Sequence, residues 1–184
     1  RVATGDQLRL DGRLIRQPPT PQAAPVLLCH RSPGLALQRG ADAAESMSAS
    51  LPKRLGQRFM SVSPLPQVDG GLELLTADGS LAERLQRAVR AQTVVFSLRA
   101  RGELTEAQRS GIAAGRLDRG TALRVLDIAE AGGSGSNRWY QIGTVGASGN
   151  DLRQLLERQG VTISRLLRIQ LGTLQLERTL PRGR

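Results

Sequence analysis

Apolar and polar residues alternate along several short segments of the chain, which is the pattern of strands with one buried face. Leu8 and Leu10 alternate with polar residues and lead into Asp11-Gly12, a dipeptide typical of tight hairpin turns. The segment 60–79 combines a short apolar run, a proline-bearing loop, a leucine-rich strand and an Asp-Gly turn. Further strands are predicted at 26–29, 93–101, 122–128, 138–145, 164–171 and 174–176.

Three segments carry the signals that open or end helices. Residues 80–83 and 105–108 each place a Ser or Thr three positions before a Glu or Gln, which is the capping-box pattern. The first of these helices is expected to end near Arg90. A third helix is predicted at 150–159, with three leucines on one side and Gly160 as its stop.

Strands and helices do not alternate strictly, so the sequence predicts an α+β fold with a mixed, largely antiparallel sheet flanked by helices. Residues 17–25 are rich in proline and are predicted to form a linker. Residues 35–57 lack a clear pattern, and residues 131–137 are rich in Gly and Ser. Both segments are therefore expected to be loops.

Composition and charge narrow the range of partners. The 184 residues carry a formal net charge of +10, nearly all of it from arginine, since Lys53 is the only lysine. Such an excess favours a polyanion, either RNA or an acidic membrane surface. No apolar run reaches the length of a membrane span. We therefore expect an RNA-binding, cytoplasmic protein that makes no membrane contact and acts as a monomer.

Cysteine and histidine are too scarce for a disulfide framework or a metal cluster. Cys29 and His30 are the only residues of their types, so no Cys/His metal site is predicted. A single cysteine at the end of an apolar run is most often buried. His30 could touch RNA, but one histidine at a strand end is more often structural.

The segment 60–79, MSVSPLPQVDGGLELLTADG, resembles the nucleophile segment of pseudouridine synthases of the RsuA/RluB type, which reads V-G-R-L-D-x-x-T-x-G-L-L-L-x-T-x-D-G. The matching positions are Val62, Leu65, Gly71, Leu72, Leu74, Thr76, Asp78 and Gly79. Segments 101–108, 137–140 and 159–176 also follow the order of this family. The resemblance implies a pseudouridine synthase-like domain at 18–184, preceded at 1–17 by the tail of an S4-like RNA-binding domain.

In this family an aspartate isomerises a flipped-out uridine, so the resemblance implies that no cofactor is needed. The aspartate position is Pro66, which offers neither a nucleophile nor a proton acceptor. Asp69 is the nearest candidate to replace it, and its use would require a reshaped loop. The family tyrosine that packs on the uracil aligns with Phe96, which keeps a stacking face but cannot transfer a proton. An ordinary core phenylalanine fits Phe96 equally well.

The motif before the last helix keeps one arginine of the family pattern, Arg153, at the position that normally pairs with the nucleophilic aspartate. A buried guanidinium without a carboxylate is costly. Arg153 is therefore expected to be solvated, to hold an anion, or to pair with Asp69 or Asp151.

A phosphate-binding face is predicted from the arginines of the strands and of the last third of the chain. Its candidate members are Arg153, Arg165, Arg168, Arg99 and Arg101. By contrast, Arg158 and Arg178 are expected to be ordinary solvated surface residues.

Three functions remain open. The leading hypothesis is a catalytically silent member of the family that binds structured RNA, in particular ribosomal RNA. The second is an active cofactor-free pseudouridine synthase that uses Asp69 in a rearranged loop, and the third is a protein-binding or ribosome-assembly module without RNA contact. An open, positively charged pocket between Pro66, Phe96 and Arg153 would favour RNA binding, and a collapsed pocket would favour a scaffold role.

Overall fold

A mixed β-sheet of eight strands, with helices packed on it, forms the centre of the computed structural model. The structure describes residues 8–11, 13–15, 25–37, 46–47, 51, 58–177 and 179–182. The strands of this sheet are β3 (Val26–Arg31), β4 (Met60–Ser61), β5 (Gly70–Thr76), β6 (Thr93–Arg101), β7 (Arg124–Ser134), β8 (Asn137–Val145), β9 (Ile163–Leu171) and β10 (Leu174–Gln175). A separate antiparallel hairpin joins β1 (Leu8–Leu10) to β2 (Arg13–Ile15).

The sheet order across its width is β3-β5-β9-β6-β8-β7, with β4 beside β5 and β10 beside β9. Only the β5–β9 pair is parallel among the described strands. The described helices are α1 (Gly79–Val89), α2 (Glu106–Ala114) and α3 (Gly149–Arg158). The α+β fold with a largely antiparallel sheet is therefore confirmed, and β1 pairs with β2 as the predicted hairpin requires.

The alternation along β6 determines which side of the sheet holds the main core. Val94, Phe96, Leu98 and Ala100 are buried and point to one side, where they join the leucines of α3 in one apolar cluster. A second cluster, which includes Cys29 and the residues Met47, Phe59 and Leu75, packs near β3 and β5. Because clusters lie on both of its faces, β5 is buried at every position. Cys29 on β3 belongs to the second cluster, and its burial raises the pKa of the thiol to about 11.

The helix starts were predicted correctly in one case and wrongly in another. Thr105 and Gln108 form the expected capping box of α2. The box predicted at 80–83 is wrong, because Asp78 caps α1 and accepts from the backbone N–H groups of Ser80 and Leu81. These hydrogen bonds, led by the one from Leu81, lower the pKa of Asp78. An aspartate directly before the helix accepts those N–H groups as well as a serine box would.

The Gly/Ser loop predicted at 131–137 is also wrong. The strand β7 continues through Ser134, and β8 begins at Asn137, so only two residues form the turn. A register shift between Glu130 and Gly133 shows that the glycines form an irregular, bulged part of the strand. The proline-rich linker and nearly all of the loop predicted at 35–57 lie outside the described residues, which include 25, 35–37, 46–47 and 51 from these segments.

Gly71 allows β5 and β9 to approach each other closely, and this contact yields a prediction. Its φ is +104°, and a Cβ at this position would lie 2.2 Å from the carbonyl oxygen of Arg168. Gly102 has a φ of +82° but open space around it. We expect Gly71→Ala to lower the free energy of unfolding by about 2 kcal/mol more than Gly102→Ala, since overpacking adds to the cost of the backbone conformation. Urea unfolding measures the difference, and equal losses would contradict the close approach.

Candidate functional site

The segment 62–69, which connects β4 to β5, contains Pro66, the position that the resemblance assigns to the family nucleophile. It ends in a turn, in which the N–H of Asp69 donates to the carbonyl of Pro66 over 3.0 Å. The ring of Pro66 packs against the start of α3, because a Cβ at Gly149 would lie 2.8 Å from its Cδ and 2.8 Å from Leu65 Cδ2. Pro66 is therefore part of the packing between this loop and the helix.

Arg31, at the end of β3, holds the loop by its backbone. Its Nη2 donates to the carbonyl oxygens of Leu65 (2.8 Å), Pro66 (2.6 Å) and Asp69 (3.3 Å). Its Nε lies 3.0 Å from Oε2 of Glu73, although the two groups are not aligned as a hydrogen bond. The contact with Glu73 is thus an ion pair between two buried side chains.

Arg168, on β9, holds the loop from the other side. Its Nε donates to the carbonyl of Leu72 (2.8 Å), while Nη1 and Nη2 donate to the hydroxyl (2.9 Å) and the carbonyl (2.8 Å) of Ser63. Burial lowers the pKa of Arg168 to about 10, against the opposing effect of Glu73, so the guanidinium is still charged at neutral pH. Because Arg168 is 0% exposed, RNA could not touch it in this arrangement, and its contact with RNA stays a prediction. In the structure the residue holds the loop.

Asp69 and Arg153 form the ion pair at the centre of the candidate site. Arg153 Nε donates to Oδ2 of Asp69 over 3.0 Å, and its Nη2 donates to Oδ1. Arg153 also pairs with Glu157 at 3.1 Å. The hydrogen bond to Asp69 is the main reason that the pKa of Arg153 is raised. Of the alternatives expected for Arg153, the structure therefore shows pairing with Asp69, while Asp151 accepts from Ser148 in the capping box of α3.

Little of this site can be reached from solvent. The Asp69 side chain is 1% exposed, whereas that of Arg153 is 22% exposed. Phe96 is 0% exposed and belongs to the main core cluster. A base could not stack on Phe96 or touch the Asp69 carboxylate in this arrangement, so both roles stay predictions. Phe96 and Asp69 are therefore closed to solvent, whereas Pro66 and Arg153 remain partly exposed.

Among the described residues, no hydrogen bond or ion pair joins the remaining predicted arginines to the loop. Arg99 and Arg165 are cross-strand neighbours on β6 and β9, and Arg101 follows on β6. Arg158 pairs with Asp118 at the surface, and Arg178 lies outside the described residues.

Sequence reasoning missed Arg31 and Glu73, which the fold places against the loop. The one signal was a charged residue inside an otherwise apolar strand, as for Glu73 between Leu72 and Leu74. Among the described residues, no cluster of His, Cys, Asp and Glu could hold a metal ion. No helix in the described ranges is long and apolar enough to cross a membrane.

Solved structures define the class of this fold. A pseudouridylate synthase crystal structure superposes on 100% of the chain and 77% of its own length, with a TM-score of 0.69 and 15% identity. An H/ACA RNP bound to a substrate RNA containing 2′-deoxyuridine superposes on 85% of the chain and 50% of its own, with a TM-score of 0.59 and 17% identity. The chain thus has the pseudouridine synthase fold. No family model matches it.

Curated relatives narrow the class. Ribosomal large subunit pseudouridine synthase B of Haemophilus influenzae is 32% identical over 185 aligned positions, which cover 99% of the chain and 52% of the relative. The protein of the same name from Escherichia coli K12 is also 32% identical, with 99% and 63% covered. The chain is therefore a relative of the RsuA/RluB-type pseudouridine synthases, and it spans about half to three fifths of the length of these two proteins.

The Asp69–Arg153 pair gives a prediction about stability. We expect Arg153→Gln to cost more unfolding free energy than Asp69→Asn, because it leaves a buried carboxylate without its cation. The coupling in the double-mutant cycle should be about 1–3 kcal/mol. Urea unfolding of the wild type, the two single variants and the double variant measures the coupling.

The exposed pair Arg87–Glu83 is the matched control for that cycle, with a nitrogen–oxygen distance of 3.8 Å. Its coupling should not exceed about 0.5 kcal/mol, as for other exposed pairs on helices. Equal couplings for the two pairs would show that Asp69 and Arg153 are solvated in solution.

Proposed function

We propose that the chain binds structured RNA, in particular ribosomal RNA, and does not isomerise uridine. The observation that carries the proposal is that the loop 62–69 offers no carboxylate that a substrate could reach. The family position for the nucleophile is Pro66, and the nearest carboxylate, Asp69, is buried and bound through both oxygens by Arg153. The names of the relatives and the net charge of +10 support RNA as the ligand.

The contacts of the loop explain why the chemistry would be absent. Nucleophilic attack needs a carboxylate that can reach the substrate carbon, and proton transfer needs a group that can exchange protons in the site. Pro66 supplies neither, and Phe96 has no titratable group. The backbone N–H of Asp69 is bonded to the carbonyl of Pro66, and its carboxylate is bonded to Arg153. The residues of this site hold the loop in one conformation against α3 and β9.

The proposal also includes the domain boundaries, the location and the oligomeric state expected from the sequence. We assign residues 18–184 to the synthase-like domain and residues 1–17 to the tail of an S4-like domain. The cytoplasmic location and the monomeric state expected from the sequence complete the proposal.

A second candidate function is an active synthase that uses Asp69. The observation in its favour is that Asp69 is paired with Arg153, which the resemblance assigns as the partner of the nucleophile. This function requires the loop to open, because the carboxylate is 1% exposed in the structure. The burial of Phe96 and Asp69 is also compatible with a third candidate, a protein-binding or ribosome-assembly module.

Tritium release from ribosomal RNA labelled at C5 of uridine separates the first two candidates. We expect no release above background with the 184-residue chain, while a relative that has the family aspartate gives full release. Asp69→Ala should not change the background. Release that the chain catalyses and Asp69→Ala abolishes, in a variant shown to be folded, would establish the active synthase instead.

Filter binding against salt separates RNA binding from the third candidate. Binding through phosphates falls steeply as salt rises, because counterions are released from the RNA. We expect the affinity of the chain for a ribosomal RNA fragment to fall at least about tenfold between 50 and 200 mM salt. Absent or salt-insensitive binding would contradict the RNA-binding proposal and support a protein partner.

A further inference from the structure

Three arginines and a tryptophan lie together on the side of the sheet that faces away from Phe96. Arg99 on β6 is directly opposite Trp139 on β8 and directly opposite Arg165 on β9. Arg101 follows two positions later on β6, so its side chain points to the same side. We refer to these four residues as the arginine–tryptophan patch. It spans three neighbouring strands, or about 10 Å from Arg165 to Trp139.

No carboxylate balances this charge within the described part of the chain. None of the ion pairs found there includes Arg99, Arg101 or Arg165. The Nε of Arg99 is buried and has no hydrogen-bond partner among the described residues. Like charges directly opposite each other on adjacent strands are destabilising. An arrangement of this kind is expected where an anion binds between or above the arginines.

Trp139 gives the patch a second property besides charge. The guanidinium carbon of Arg99 lies 5.8 Å from the centroid of the Trp139 ring, within the range of a cation–π contact. Arg99, Arg165 and Trp139 are all half-buried, so part of each side chain packs against the protein and part reaches solvent. A fixed aromatic ring beside a fixed guanidinium is a surface on which an unpaired base can stack.

We propose that this patch binds a single-stranded segment of RNA. Arg99 and Arg165 contact phosphates of the RNA, and Arg101 contacts the next part of the RNA backbone. A base of the RNA stacks on Trp139. This inference rests on the proposed RNA-binding function, and it assigns the single-stranded contact to the side of the sheet opposite Phe96. Single strands are favoured over duplexes because the bases of a duplex are not free to stack on protein side chains.

Trp139 is the only tryptophan of the chain, so its fluorescence reports on the patch directly. The 184-residue chain is titrated with an unstructured oligouridine RNA, and binding is followed in parallel by filter retention. We expect the Trp139 emission to change with the same midpoint as the retention signal. A hairpin duplex of equal length should bind more weakly and change the emission less.

Paired charge variants locate the phosphates. The double variant R99Q/R165Q should reduce the slope of log affinity against log salt by about 1.4, since each phosphate contact on a single strand contributes about 0.7. The matched control is R84Q/R90Q, which removes the same charge from exposed arginines at α1. The control should keep the wild-type slope. Trp139→Leu should weaken binding at least about fivefold while the salt slope stays unchanged.

The outcomes separate this inference from the function on which it rests. Salt-dependent RNA binding with unchanged Trp139 emission, or with equal slopes for the two double variants, would overturn the patch while the RNA-binding function stands. Equal affinity for the duplex and the single strand would overturn the preference for single strands. Failure to bind any RNA would overturn both. Circular dichroism of each variant confirms that a loss of binding is not a loss of fold.

Discussion

Two buried guanidiniums hold the loop 62–69, and the rest of the candidate site depends on them. Arg31 and Arg168 donate mainly to carbonyl oxygens of this segment and of the strand after it. Buried charges are tolerated only when such acceptors and a counter-ion compensate them, and Glu73 is the one carboxylate in direct contact with Arg31. Because most of these contacts go to the backbone, they do not depend on the loop's side chains. The loop therefore keeps its attachment with a proline at position 66, the position that the resemblance assigns to the family aspartate.

The Asp69–Arg153 pair follows from this attachment. The turn that closes on Asp69 directs its carboxylate towards α3, where Arg153 projects from the second turn of the helix. Asp151 is unavailable because it caps the same helix with Ser148. The pair satisfies a carboxylate that would otherwise be buried alone, and it keeps that carboxylate out of reach of solvent. A structural role for Asp69 is therefore sufficient to explain its environment.

The two sides of the central strands carry opposite properties. On one side, β6 and β9 present Phe96, Leu166 and Arg168 to a closed core. On the other side, the same strands present Arg99 and Arg165, whose charges no described carboxylate neutralises. The alternation of side chains along a strand makes this division possible, since one residue faces the core and the next faces solvent. The charge excess of the chain is thus partly concentrated on a defined surface.

The sequence alone predicted the fold class and most strand positions correctly, because hydrophobic period and local motif spacing are properties of neighbouring residues. For Arg153 it left open a solvated guanidinium, a bound anion, or pairing with Asp69 or Asp151. Tertiary contacts select Asp69, because the choice depends on the turn at Asp69 and on the cap of α3. Likewise, Arg165 and Arg168 look equivalent in the sequence, yet one is half-exposed beside Arg99 and the other is buried against Ser63. Arg165 and Arg168 are three positions apart on β9, so their side chains point to opposite sides of the sheet. Which side is covered by the core depends on long-range packing, which no local pattern specifies.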